Sequence, residues 1–188
     1  MSTIKLAVII GSTREGRRAD VIANWFTKRV EQSADFDIDM IDLADPLLGE
    51  RHPMKSTPEL DRFNERVADA DAFVVLTPEY NHGYPASLKF AIDSCYYGWQ
   101  AKPVGFVSYG GISGGLRAVE QLRQVFAELH AVSVRDTVSF HNVFGAFDGK
   151  GEPHSPDEVN AAAKTMLDQI RWWAETLREG RAKRAYTT

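Results

Sequence analysis

The chain has 188 residues, 44% of them hydrophobic and 26% charged, with a formal net charge of -4. That length supports one domain with a sizeable core, and that charge gives no general attraction to nucleic acid or acidic membranes. The apolar runs fall well short of the about 20 residues a membrane helix needs, and Cys95, the only cysteine, excludes an internal disulfide and a cysteine-based metal cluster.

The N-terminal MSTIKLAVII enters a strand-like run directly, so no secretory leader is expected, and a cytoplasmic setting fits the lone cysteine. Ile4–Ile10 is almost wholly apolar, as in a strand covered on both faces. Val21, Ile22, Trp25, Phe26 and Val30 then recur at helical spacing. Phe36, Ile38 and Met40 alternate with Asp35, Asp37 and Asp39, which predicts a strand with one wet face near a sheet edge. Pro46 to Pro58 holds turn formers without a period and reads as a loop. Pro58–Asp69 reads as a helix capped by Thr57.

DAFVVLT predicts a second buried strand ending at Thr77, and Ala86–Asp93 a short helix. PVGFVSYGG is a third buried strand that runs into glycines. Leu116, Val119, Leu122, Phe126 and Leu129 mark an amphipathic helix, and AVSVRDTVSF alternates as a last strand. Ser155 and Pro156 open a final helix whose buried face is Val159, Ala163, Met166, Ile170, Trp173 and Leu177. The residues from about 180 to 188 form a basic end that reads as frayed. Strand and helix alternate throughout with no linker, so the expectation is a single α/β domain: a doubly wound, five-stranded parallel sheet with helices on both faces.

Such sheets bind ligands beyond the carboxyl ends of their strands. Three loops there carry unusual residues. In GSTREGRR, Gly11 permits a sharp exit from the strand, Ser12 and Thr13 offer hydroxyls, and Arg14 and Arg17 can bind an anion bidentately at a helix start. A plain helix cap with solvated arginines explains the same residues. The P-loop pattern is absent, because Arg17 and Arg18 stand where Lys and Ser or Thr would be, and so is the GxGxxG fingerprint, because position 13 is Thr. In PEYNHGYP, Pro78 and Pro85 stiffen a loop whose Glu79–Gly83 amides have few local partners, and Tyr80 can lie against a ring. His82 there is read as incidental. In SYGGISGG, two glycine pairs let backbone approach a flat ligand, and Ser113 can cap the next helix. No nucleophile, acid–base pair or metal set is visible, so the reactive atoms belong to a cofactor.

GSTREGR, PEYNHGYPASLKFAIDS and SYGGISGGLRAVEQLR together resemble the NAD(P)H-dependent FMN reductase family, from about Ile4 to Ser139. The resemblance implies a flavodoxin-like fold with strand order 2-1-3-4-5, FMN as cofactor, and NADPH or NADH as reductant. It implies that Ser12, Arg14 and Arg17 hold the FMN phosphate, and that Pro78, Glu79, Tyr80 and Asn81 line the isoalloxazine. It places Ser108, Tyr109, Gly110, Gly111 and Ser113 beside the ring and ribityl chain, with no catalytic side chain and no metal. The implied acceptors are quinones, azo compounds, metal oxyanions or free flavin, and the implied assembly is a homodimer or homotetramer, with Tyr96, Tyr97 and Trp99 packed either at a subunit boundary or in the core. Relatives often carry an acidic residue before that tryptophan; here it is Gly98. A flavodoxin-type electron carrier without a nicotinamide site is the alternative.

Overall fold

The computed structural model describes residues 3–45, 52–53 and 55–187, so most of the Pro46–Pro58 loop lies outside the described residues. The strands β1 (Ile4–Ile10), β2 (Phe36–Asp42), β3 (Ala72–Pro78) and β4 (Pro103–Tyr109) are parallel neighbours in the order β2-β1-β3-β4. They alternate with α1 (Ala19–Val30), α2 (Pro58–Asp69), α3 (Ala86–Asp93), α4 (Leu116–Glu128) and α5 (Pro156–Lys183).

The period of two along β1 sorts the core into two layers. Leu6, Val8 and Ile10 face one side with Trp25 and Phe26 of α1 and Ile170 of α5. Ala7 and Ile9 face the other with Phe63 of α2, Leu88 of α3 and Phe126 of α4. Gly105 lets α5 lie close on β4, because a Cβ there would stand 2.7 Å from Ile170 Cδ1. β2 is the edge, as its alternating aspartates require. Thr57 caps α2 by accepting from the Leu60 N–H at 3.3 Å. At the far end of α2, buried Lys102 Nζ donates to the carbonyls of Val67 and Ala68 at 2.9 and 2.7 Å.

Two expectations need correcting. AVSVRDTVSF is two short strands, β5 (Val132–Ser133) on Pro103 and Val104 and β6 (Val138–Phe140) on Val107 to Tyr109. Between them the chain leaves the ladder. Arg123 of α4 donates to the Val134 and Arg135 carbonyls at 2.8 and 2.9 Å, which satisfies groups the sheet no longer pairs. The sheet is therefore six-stranded, in the order β2-β1-β3-β4-β5 with β6 also on β4. The basic end is not frayed from residue 180 onward. The helix α5 continues to Lys183, Arg181 donates to the Ala101 carbonyl, and the Tyr186 hydroxyl meets His130 Nδ1 at 2.8 Å.

Among the described residues, no helix is long and apolar enough to cross a membrane, and no group of His, Cys, Asp and Glu could hold a metal ion.

Candidate functional site

The strand order reverses between β1 and β3, because α1 and α2 leave the sheet on opposite faces. In sheets of this kind a crevice opens there at the carboxyl ends. The chain leaving β1 is pressed against β3 and α3. The Gly11 N–H donates to the Leu76 carbonyl at 2.9 Å, and the Ser87 hydroxyl donates to the Gly11 carbonyl at 3.0 Å. A Cβ on Gly11 would stand 3.2 Å from the Leu76 oxygen and 3.3 Å from Leu88 Cδ2, so this glycine serves close approach.

Ser12 is fully buried, and its Oγ lies 2.7 Å from the Tyr80 hydroxyl. The Arg14 guanidinium sits over the Tyr80 ring, 3.5 Å from its centroid, a cation–π contact. The loops after β1 and β3 therefore meet directly, and Ser12, Arg14 and Tyr80 share one place. Neither Ser12 nor Thr13 caps α1. Arg18 occupies the cap position without a side-chain bond, and its buried Nε has no partner.

Arg17 is placed otherwise than expected. Its Nε and NH2 bond the exposed Asp20 carboxylate, its NH1 and NH2 bond Asp42 at the end of β2, and its NH1 also reaches the Ser12 carbonyl at 2.6 Å. All of a guanidinium's donors are thus taken. Two carboxylates and the Ser12 carbonyl saturate it, so it offers the rim no free N–H. Burial alone would push the Asp42 carboxyl up, but Arg17 and the Ala44 N–H hold it below the usual carboxylate range.

The second loop is a tight hairpin turn. Tyr80 and Gly83 exchange backbone hydrogen bonds at 2.9 and 3.2 Å, with Asn81 and His82 both at positive φ, 50° and 75°. The Glu79 N–H donates to the Tyr109 carbonyl at 2.9 Å. Of the amides expected to be free, then, only those of Asn81 and His82 lack an acceptor among the described residues. His82 is exposed, and its carbonyl accepts from Gln121 Nε2 at 3.0 Å.

In the third loop, Glu79 takes the capping role expected of Ser113. Its carboxylate accepts from the Arg117 N–H at 3.1 Å and from Arg117 NH1 at 3.0 Å. Burial would raise its pKa, but the Ser113 hydroxyl, the Arg117 N–H and charge, and the Ala118 N–H together lower it. The positive end of α4 is accordingly occupied by Glu79. Gly114 and Gly115 adopt positive φ, 61° and 87°, and the Ser108 and Ser139 hydroxyls both donate to the Gly114 carbonyl at 2.9 and 2.8 Å. Gly110 and Gly111 are tied to the chain after β6. The Gly110 N–H donates to the Phe140 carbonyl at 3.1 Å, and the Asn142 N–H to the Gly111 carbonyl at 2.9 Å. A Cβ on Gly111 would meet nothing within 4 Å. Beside this loop the Tyr109 hydroxyl is buried; burial, then Tyr80, push its pKa above the usual phenol range, and the Ser12 hydroxyl opposes them.

These features suit a flat, polar-edged ligand with an anionic tail. Orphaned Arg18 Nε, the free Asn81 and His82 amides and the open side of Gly111 all lie in the three loops at this rim. The residue that sequence reasoning missed beside this rim is Asp42. Asp42 is one of many carboxylates, and only the register that sets it opposite Ile10 of β1 marks it out. Of the aromatic cluster after α3, Trp99 is core, tilted against Phe73 and edge-on to Phe126, while Tyr97 is 78% exposed. Gly98 has no room for a side chain, since a Cβ would lie 2.8 Å from both Cys95 Sγ and Val67 Cγ1.

The chain is similar in sequence and in fold to known proteins. Residues 4–145 match the family described as NADPH-dependent FMN reductase. An NAD(P)H-dependent FMN reductase of Schizosaccharomyces pombe is 39% identical over 132 residues, 65% of this chain and 66% of that protein. An FMN-dependent NADPH-azoreductase of Staphylococcus haemolyticus is 28% identical over 179 residues, 89% of this chain and 93% of that one. The solved flavoenzyme NAD(P)H:(acceptor) oxidoreductase of Paracoccus denitrificans shares the fold, with a TM-score of 0.73 at 20% identity, covering 93% of this chain and 98% of that one. The chain belongs to the NADPH-dependent FMN reductase family of oxidoreductases.

Proposed function

We propose that the rim binds FMN and that the chain passes reducing equivalents from NADPH or NADH to small-molecule acceptors: quinones, azo compounds, metal oxyanions or free flavin. The observation that carries this reading is the direct junction of an anion-type loop with an aromatic loop, Ser12 Oγ on the Tyr80 hydroxyl at 2.7 Å, at the reversal point of the sheet. The curated relatives are named as reductases of FMN, azo compounds and quinones, which supports the same class.

In this reading, Ser12, Arg14 and Arg18 hold the phosphate with the amides of their loop, while Arg17 shapes that loop. Pro78, Glu79, Tyr80 and Asn81 flank the ring on one side, mainly through backbone, with the Asn81 and His82 N–H groups free to donate to its polar edge. Ser108, Tyr109, Gly110, Gly111 and Ser113 border it on the other, where Gly111 leaves space. Bound FMN would supply the hydride and electron chemistry; the chain binds, orients and stacks. A homodimer or homotetramer is part of the proposal, with exposed Tyr96 and Tyr97 as contact residues. So is a cytoplasmic setting.

The test is anaerobic stopped-flow on the FMN-loaded chain with each nicotinamide, followed by an acceptor panel. Bleaching of the flavin band is the expected result. A chain that takes up no FMN overturns the proposal, and bound flavin that stays oxidised with both nicotinamides leaves the electron-carrier reading.

A further inference from the structure

We infer that Asp42 is a positioning residue for the phosphate loop, acting through Arg17, and that this pair makes the site prefer a phosphorylated flavin over an unphosphorylated one. The inference rests on the FMN reading above. It starts from a closed ring of contacts. Arg17 ends the turn that Ser12 begins, and its NH1 returns to the Ser12 carbonyl at 2.6 Å. Gly16, at φ 66°, makes the reversal that brings it back. The loop is thus closed on itself by one side chain, whose other contacts fix where the loop lies. One is Asp20, exposed on α1; the other is Asp42, three-quarters buried and bonded through both its oxygens.

Asp42 is itself held. It stands at the end of β2, in register with Ile10 of β1, and its Oδ1 accepts from the Ala44 N–H at 2.9 Å. A rigid strand end therefore anchors a carboxylate, the carboxylate anchors Arg17, and Arg17 anchors the backbone of the residue whose hydroxyl meets Tyr80. Two effects of Asp42 on a bound phosphate oppose each other. Its charge repels the phosphate, which solvent screens at this partly exposed rim. Its hold on Arg17 keeps the loop amides and Ser12 aimed at one point, and removing one member of a half-buried ion pair leaves the other unanchored. We take the second as larger, because Asp42 accepts from both NH1 and NH2 and ties the loop to the end of β2, whereas the other carboxylate on Arg17, Asp20, is exposed on α1.

The test is titration of the flavin-free full chain with FMN and with riboflavin, followed by flavin fluorescence, for wild type, Asp42→Ala, Asp42→Asn and Asp20→Ala. Asp42→Ala is expected to weaken FMN about tenfold to a hundredfold, the scale of a lost charged hydrogen bond, and to leave riboflavin within about twofold. Asp42→Asn keeps size and the Ala44 contact and should fall between; it carries the test if the alanine variant does not fold. Asp20→Ala should change FMN binding less than Asp42→Ala. Equal losses for both flavins would reduce Asp42 to a general stabiliser and overturn the inference. So would unchanged or tighter FMN binding, which would make Asp42 a competitor for Arg17. Wild type that binds neither flavin overturns the FMN reading itself, and this inference with it.

Discussion

The Tyr80 hydroxyl and Ser12 Oγ lie 2.7 Å apart across the crevice between β1 and β3, so the two loops that would grip opposite ends of a flavin are joined by one hydrogen bond. A hydroxyl has one donor and two acceptor sites. Ser12 can therefore accept from Tyr80 and still donate to a phosphate. Ser12→Ala is expected to cost about 1 kcal/mol of FMN affinity, and Tyr80→Phe less. Because both changes cut the same connection, the double variant should lose less than the sum of the two. Calorimetric titration of the four proteins checks this, and strict additivity would mean that the bond does not couple the loops.

Arg14 is the exposed cation of the first loop, lying 3.5 Å over the Tyr80 ring and bonded to no carboxylate among the described residues. It is free to turn to an anion, unlike Arg17. Arg14→Ala should weaken FMN by about 1–3 kcal/mol and Arg14→Lys by less, since lysine keeps the charge but not the fork. Riboflavin, which lacks the phosphate, should bind both variants as it binds wild type. Unchanged FMN affinity in Arg14→Ala would remove this residue from the phosphate site.

The element order, the two-sided core and the position of the three loops were legible because strand and helix periods are strong and glycine, proline and hydroxyl residues cluster where β1, β3 and β4 end. What could not be read depends on side chains that meet across the fold. Arg17 looks like an anion ligand until the sheet register brings Asp42 beside it. Ser113 looks like the cap of α4 until Glu79, far away in sequence, takes the Arg117 N–H. The alternation of AVSVRDTVSF hides a break that Arg123 makes tolerable. The basic end looks unfolded because its anchors, Ala101, Asp71 and His130, lie on other elements.

Gly111 and Gly115 separate folding from binding. A Cβ on Gly115 would lie 2.7 Å from Ser108 Cβ and 2.8 Å from the Tyr109 nitrogen, at φ 87°. Gly115→Ala should destabilise the fold by about 2 kcal/mol or more, from strain and overpacking together. Gly111→Ala meets nothing in the chain and should leave the melting temperature unchanged. If the ring passes over Gly111, the added methyl should still weaken FMN severalfold. Thermal melts without flavin, paired with FMN titrations, read the two effects apart; a Gly111→Ala protein that binds FMN as wild type would move the ring elsewhere.

Glu79 holds the start of α4 from the loop after β3. Its ionised form is favoured in the fold, so the folded pKa is below the ordinary 4.5. Between the two values the unfolded chain binds more protons, and stability contributed by Glu79 is present above the ordinary pKa and is lost as pH falls through the folded one. Glu79→Gln should lower stability by about 1–2 kcal/mol at pH 7, and the gap to wild type should shrink as pH drops below 4.5. Denaturant melts at several pH values measure it. A constant gap would mean that the carboxylate charge plays no part.

Lys102 makes a prediction of the same sign at high pH. Its ammonium is buried at the end of α2, and burial, followed by repulsion from Arg181, lowers its pKa from 10.5 to about 8. The folded chain thus releases this proton near pH 8, while the unfolded chain keeps it to about 10.5. Between those values the unfolded state binds more protons, so unfolding free energy rises with pH. The neutral amine still donates to the Val67 and Ala68 carbonyls, so the α2 terminus stays satisfied as the charge is lost. Lys102→Met keeps the apolar stem but leaves both carbonyls without their donor, and should destabilise the fold at every pH. The stability of wild type relative to Lys102→Met should therefore grow by about 1–3 kcal/mol between pH 7.5 and about 9.5. Comparing the two proteins cancels the other lysines and tyrosines that titrate in that range. A difference that stays flat or falls would show that Lys102 keeps its proton in the fold, held there by the two carbonyls it meets.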